Sequence, residues 1–430
     1  MRKESPDFDF KNVSGNFAGH LDYMIQMKKF TLLFCSCILA AIAVGCKTDI
    51  PDVVDASDDE KLAGEVVTVG DPTSPYYKLF VLNEGKWGEN NASLDFLRFK
   101  DGKYVRNSFK QMNPSIPMGL GDTGNCLAIF YNTGWALMNG SNLVEVFNPY
   151  DEKHLQTLSI PSPRMITFDM DWGFAYITSY GDAKYDYTNP EAGQKEGTLY
   201  KIGNDSSNKI AILDQVKVGY QPEGVSICGQ YIFVANSGGY VAGYDNRVTV
   251  IDRATFKVVK NIEVAPNLKY VISDGLNNLW VTTSGDYFST HSGLYKIDVN
   301  SGQVTPPSGD LADVRCSAIG FDPNDNTMYI LGTDDELVWD GSKQHYNLYK
   351  VSISGANVVK IPFSVNSDAE NMKMPSALMR NAVTREIYIT DAGDYQNPGY
   401  VYSFSADLKT TNWKAEAGIG ASHPALYIRY

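Results

Sequence analysis

A short run of aromatic or β-branched residues, closed by small or polar ones, recurs seven times along this chain and leaves it few possible folds. The copies are Leu79-Phe80-Val81-Leu82-Asn83, Trp135-Ala136-Leu137-Met138-Asn139, Ala175-Tyr176-Ile177-Thr178-Ser179, Ile232-Phe233-Val234-Ala235-Asn236, Leu279-Trp280-Val281-Thr282-Thr283, Met328-Tyr329-Ile330-Leu331-Gly332 and Ile387-Tyr388-Ile389-Thr390-Asp391. From Leu79 to Ile387 the mean spacing is about 51 residues, a period expected of stacked structural units.

Each copy is followed, after a variable loop, by a second alternating run such as Val248-Thr249-Val250-Ile251-Asp252 or Leu294-Tyr295-Lys296-Ile297-Asp298. A turn and a third run come next, and a further strand precedes each copy, as in Glu223 to Cys228 and Ser317 to Phe321. Period-two alternation with polar turns is the strand signal, and past residue 45 no segment sustains a helical period. Four strands per unit and seven units predict an all-β, seven-bladed β-propeller of four-stranded antiparallel blades over residues 76–430. The first unit lacks a strand ahead of Leu79, and Pro424-Ala425-Leu426-Tyr427-Ile428-Arg429-Tyr430 is a strand without followers. The C-terminal strand is therefore expected to complete the first blade, closing the ring and removing two open sheet edges.

The N-terminus reads as export machinery. Met27-Lys28-Lys29 precedes the apolar run Phe30 to Val44, which ends at Gly45-Cys46. That run is about 15 residues long, whereas a membrane-spanning helix needs about 20. Ala43-Val44-Gly45-Cys46 resembles the lipobox of bacterial lipoproteins, which makes Cys46 the expected lipidation site. Residues 1–45 are an over-extended N-terminus plus signal peptide, with Met27 as the expected start, and residues 46–75 form an acidic tether. The acidic stretch after Cys46 is similar to the surface-export signal of Bacteroidetes lipoproteins, so the expected location is the outer face of the outer membrane. The formal net charge of −13 argues against a nucleic-acid partner. Cys126, Cys228 and Cys316 sit in apolar runs and read as unpaired, buried thiols.

The runs Tyr176-Ile177-Thr178-Ser179, Phe233-Val234-Ala235-Asn236 and Tyr388-Ile389-Thr390-Asp391 resemble the repeat of the YVTN/YncE-like propeller family. Phe80 to Gly85, with Trp87-Gly88 and Asn90-Asn91-Ala92-Ser93-Leu94, is similar to a Bacteroidetes subgroup of surface lipoprotein propellers. Gly219-Tyr220-Gln221-Pro222-Glu223-Gly224 and Ala235-Asn236-Ser237-Gly238-Gly239 add to the likeness. That subgroup includes BtuG-type proteins, which capture corrinoids such as cobalamin for a TonB-dependent outer-membrane transporter. The resemblance implies corrinoid capture and that transporter as partner. A glycan- or protein-binding propeller of another uptake system, and an enzyme acting on extracellular polysaccharide, are the alternatives.

In a propeller, the loops between second and third strands share one face with the loops that link blades, so binding residues are sought there. These loops carry Trp87, Tyr180, Tyr187, Tyr240, Tyr244, Tyr287, Phe288, Trp339 and Tyr395, rings suited to a large flat ligand, a sugar or a protein partner. Asn83, Glu84, Asn91 and Asn236 are polar groups beside them that could read a ligand's edges or simply cap turns. The longest loop, 179–197, could also pack its own tyrosines. Arg164, between the second and third blades, could meet an anion or pin a neighbouring acidic loop. No cofactor is expected and no metal site: His154, His291, His345 and His423 are scattered, and Asp322-Pro323-Asn324-Asp325-Asn326 lacks the glutamate of a calcium loop. Linear motifs for nucleophilic, phosphate or zinc chemistry are missing as well, so the expectation is a binding protein and not an enzyme.

Overall fold

The computed structural model describes residues 62–69, 76–186, 188–286, 289–322, 324–333, 343–352 and 357–428. Cys46 and the signal segment lie outside them. The chain forms seven antiparallel sheets arranged as the blades of a propeller. The first strands of the second to seventh blades are Gly124–Phe130, Pro163–Asp169, Pro222–Cys228, Leu268–Ser273, Arg315–Asp322 and Pro375–Arg380. The seven recurring runs are the second strand of each blade, from Tyr76–Asn83 in the first to Ile387–Asp391 in the last.

Those second strands read as continuously apolar because they are covered on both faces. Phe80 and Leu82 point into a cluster with Leu127, Ala136, Met138 and Phe147 of the second blade. Their neighbours Leu79 and Val81 point the other way, against Tyr388, Val401 and Trp413 of the seventh. Each strand thus joins two interblade cores, and each fully buried side chain contributes about 1.5–3 kcal/mol.

The ring closes as the sequence predicts. The C-terminal strand Ala421–Ile428 is the innermost member of the first sheet and pairs antiparallel with Tyr76–Asn83, Phe80 opposite Ala425 and Leu79 opposite Leu426. Pro424 is tolerated there because a first strand is bonded to a partner on one side only. One detail differs from the expected tether: Glu65–Val66 pairs with Lys103–Val105 and adds a fifth, outer strand to the first blade. Among the described residues, α-helix is confined to one turn or so at Ser108–Met112 and Ser367–Glu370, both in connections between blades.

Blade-to-blade ion pairs fix the end of the propeller where first strands finish. Arg253 grips Asp169 at 2.6 Å, Arg380 grips Asp322 at 2.7 Å, and Lys78 meets Glu152 at 2.6 Å with both side chains fully buried. The opposite end, where first strands begin, holds a different set of charges.

Candidate functional site

All seven first strands slip register near their start, and the slip sets the site. The ladder skips Asn125; Arg164 and Met165; Glu223 and Gly224; Lys269 and Tyr270; Ser317; Ser376; and His423. A β-bulge leaves its extra residue unpaired and turns the side chain out of the regular alternation. Seven bulges at one level therefore form a ring of polar side chains at the mouth of the central channel. Hydrogen bonds tie bulge to bulge: Asn125 donates to the Arg164 carbonyl (2.8 Å), Tyr270 to the Ser317 carbonyl (2.8 Å) and Ser376 to the Ala421 carbonyl (2.6 Å).

Arg164, Glu223, Lys269 and His423 carry the chemistry of this ring. The Arg164 guanidinium holds the Glu223 carboxylate in two bonds, Nε to Oε2 at 3.1 Å and Nη2 to Oε1 at 2.9 Å, and lies 4.6 Å over the Tyr180 ring. The Tyr180 hydroxyl donates to the same carboxylate. Burial works against the charges of Arg164 and Lys269, but neighbours outweigh it: Glu223 and Tyr180 for the arginine, Tyr270, Cys316 and Glu223 for the lysine. Both pKa values rise and both groups stay cationic. Lys269 is half-buried; its ammonium lies 3.5 Å from the Ser317 carbonyl and 4.9 Å from the centre of the Tyr270 ring, and it also hydrogen-bonds the Tyr270 side chain. Among the described residues no carboxylate pairs with it. His423 is pushed down to about 3 by burial and by Lys269 and Arg164, so its imidazole is neutral at physiological pH. Three residues from the first, third and fifth blades can influence one another in this way only across the channel.

Beside the ring, at the junction of the seventh and first blades, a cavity of about 460 Å³ is lined by Glu84, Gly85, Lys86, Trp87, Glu89, Thr123, Tyr395 and Gln396. Glu84 joins the two spaces. Its carboxylate accepts from Tyr395 (3.3 Å), and its pKa is raised by burial, against the opposing pull of Ser422, Tyr395, Arg164 and Lys269. Trp87 is 76% exposed at the rim.

The structure thus brings together Glu84, Trp87 and Tyr395 from the expected loops. Tyr180 and Tyr240 meet edge to face at 5.3 Å, and Tyr185 lies 5.7 Å from the same Tyr240 ring, so the tyrosines of the long third-blade loop pack on a tyrosine of the fourth-blade loop and not on one another. Gln221 pins that loop by donating to the Gly193 carbonyl at 2.8 Å. Asn83 and Asn236 are fully buried and serve the sheets: Asn83 donates to the Ser93 hydroxyl (3.1 Å), Asn236 to the Arg247 carbonyl (2.7 Å). Asn91 caps the turn before it by accepting from the Lys86 amide at 2.7 Å. Tyr244 sits at φ 61° in the fourth-blade loop, away from the bulges. Tyr187, Tyr287, Phe288 and Trp339 lie outside the described residues. Arg164 belongs to a first strand and not to a loop, and it pins Glu223. Glu223, Lys269, Tyr270 and His423 were missed, although each follows the start of a first strand by one or two residues.

The sequence matches no protein-family model and no curated protein. Solved structures share its fold. The periplasmic gluconolactonase PpgL of Pseudomonas aeruginosa aligns with a TM-score of 0.53 at 12% identity, over 81% of this chain and 99% of that one. A candidate 6-phosphogluconolactonase of Bacteroides fragilis gives 0.52 at 11%, over 83% and 99%. A quinoprotein alcohol dehydrogenase-like protein of Bacteroides thetaiotaomicron gives 0.53 at 11%, over 82% and 78%. These likenesses show a seven-bladed propeller and nothing finer. They also correct one expectation. Proteins described as lactonases are built on this fold, so the lack of a linear catalytic motif does not make the chain a non-enzyme. The physical reason is visible here: the charged groups come from separate blades, and no local sequence pattern can record them.

Proposed function

We propose that the channel mouth binds a small hydroxylated carboxylate, of the kind that opening a sugar lactone produces. The observation that carries this reading is Lys269, a half-buried ammonium at the mouth with no carboxylate pairing with it among the described residues. A ligand carboxylate would give this ammonium a direct charge-assisted hydrogen bond. Arg164 does not compete for the role, because Glu223 already occupies it. The neutral His423 and the ring of bulged polar groups offer hydrogen bonds to hydroxyls. The names of the lactonase neighbours supply the ligand class, and the signal peptide and lipobox read from the sequence make this an exported, lipid-anchored protein that meets its ligand outside the cell.

Titration calorimetry of the protein with gluconate tests the reading. Binding is expected, weakened by salt and lost in Lys269→Met; equal binding by that variant would sink it. Acid release from glucono-δ-lactone above the rate in buffer alone distinguishes an enzyme from a binding protein.

Corrinoid capture for a TonB-dependent transporter is the second reading, favoured by the exposed indole of Trp87 beside the mouth, on which a flat macrocycle could rest. Calorimetry against cyanocobalamin decides it: tight binding that is indifferent to Lys269→Met would replace the carboxylate reading.

A further inference from the structure

We propose that the cavity beside Trp87 is a second subsite that holds a neutral sugar ring, so that the ligand is an acidic oligosaccharide spanning both spaces. The proposal rests on the carboxylate reading of the channel mouth and extends it to the chemical class of the whole ligand.

The first support is size. A cavity of about 460 Å³ adjoining a separate charged mouth is room for more than one small acid, since sites for drug-sized molecules run to about 300–1,000 Å³.

The second is how Trp87 is presented. An indole left 76% exposed on a mobile loop would mean little, but this one stands on a pinned turn. The Lys86 amide donates to the Asn91 side chain at 2.7 Å, the Gly88 amide to Asp122 at 2.9 Å, and the Glu89 amide to the Lys86 carbonyl at 3.1 Å. Gly85 and Gly88 both take φ +79°, a conformation that favours glycine, and a Cβ on Gly85 would stand 2.4 Å from the Asn91 oxygen. A turn held in place this way presents the indole without the backbone having to be ordered on binding.

The third is polarity. The same cavity is lined by Glu84, Tyr395 and Gln396, whose polar groups take hydroxyls, together with Trp87, whose ring suits the C–H face of a pyranose. Glu84 and Glu89 outnumber Lys86 among the lining charges, which favours an uncharged ring here over a second anion. Glu84 also lies within the electrostatic reach of Lys269 and Arg164, so the cavity it lines neighbours the charged mouth.

The test uses the full-length protein and three probes: glucuronate, the disaccharide acid in which glucuronate is linked to glucose, and the neutral disaccharide cellobiose. The disaccharide acid should bind about tenfold more tightly than glucuronate. Trp87→Ala should erase that gain while leaving the glucuronate affinity within about twofold, because the substituted side chain is exposed and lines the cavity, which does not include Lys269. No gain, or a gain that survives Trp87→Ala, overturns the subsite and leaves the carboxylate reading standing. Failure of both acids to bind overturns both. Cellobiose binding as tightly as the disaccharide acid overturns the acidic ligand.

Discussion

The Arg164 guanidinium and the Glu223 carboxylate meet in a two-pronged ion pair that bridges the first strands of the third and fourth blades at the channel mouth. Glu223 is buried and Arg164 nearly so, and the Tyr180 hydroxyl adds a third bond to the carboxylate. Removing one partner would strand the other charge. Arg164→Met should therefore cost about 2–4 kcal/mol, somewhat below the figure for a fully buried pair because the guanidinium keeps some solvent. The double variant Arg164→Met with Glu223→Gln should recover most of that loss. Urea unfolding of both variants decides it, and equal losses would mean that the pair is not what holds these blades.

Lys269 should behave in the opposite way. Among the described residues no carboxylate pairs with it, so Lys269→Met strands no partner charge and should change stability by no more than about 1 kcal/mol. The same change should lower gluconate affinity by about 10- to 100-fold, the worth of one charge-assisted bond. Parallel thermal unfolding and calorimetry separate the two effects. A variant that loses binding and stability together would make Lys269 a structural residue.

The architecture was legible because its signal is physical and local. Second strands are buried on both faces, so Leu79 to Leu82 and its six counterparts read as unbroken apolar runs at a fixed period. The unpaired C-terminal strand announced its own pairing with Tyr76–Asn83. The site was less legible. Asn83 and Asn236 look like turn residues in sequence, yet each is the last residue of a buried strand and its amide bonds within the sheet. Glu223, Lys269 and His423 lie far apart in the chain and meet only when the ring closes. The bulges that turn them inward leave no compositional mark, and Ser162-Pro163-Arg164 reads as a turn where a first strand in fact begins.

Closure by the last strand carries a stability prediction. Deleting Pro424 to Tyr430 would open one edge of Tyr76–Asn83 and remove Ala425 and Tyr427 from the core between the first and second blades. Two such side chains and most of a ladder of hydrogen bonds are worth several kcal/mol, about the scale of a cooperative unit. The truncated chain should unfold at clearly lower temperature and denaturant. An unchanged melting curve would show that the ring does not depend on this strand.

The three thiols of the folded region should be inert. Cys126, Cys228 and Cys316 are all free and belong to alternate blades; Cys228 and Cys316 are buried as expected, whereas Cys126 is half-buried. Burial pushes the Cys126 thiol up to about 11 and the Cys316 thiol up to about 12, so neither is a thiolate at pH 8. A colorimetric thiol reagent at that pH should leave Cys126 and Cys316 unmodified in the native protein and label all three in denaturant. Rapid labelling of either in the native state would contradict their burial.

Asp95 gives the protein a pH dependence whose sign can be worked out. The residue is fully buried on the third strand of the first blade, where it accepts from the Asn107 amide (2.8 Å), the Tyr104 hydroxyl (3.2 Å) and the Gly418 amide of the seventh blade (3.0 Å). Burial raises its pKa to about 6 in spite of these bonds. A carboxyl that holds its proton more tightly when folded favours the folded state at low pH. Its contribution is complete below about pH 4, the ordinary range of an unfolded aspartate, and is lost as pH rises through about 6. At about 1.4 kcal/mol per pK unit the swing is on the order of 2–3 kcal/mol. Other carboxylates, such as Asp394, whose pKa is lowered by hydrogen bonds from Asn397 and Gln396, titrate with the opposite sign. The informative quantity is therefore the difference between the native protein and Asp95→Asn. That difference should move in the variant's favour between pH 4 and pH 6.5 and stay level above it. A difference that is flat across this window would show that Asp95 is already ionised at low pH in the fold, and that its three donors outweigh its burial.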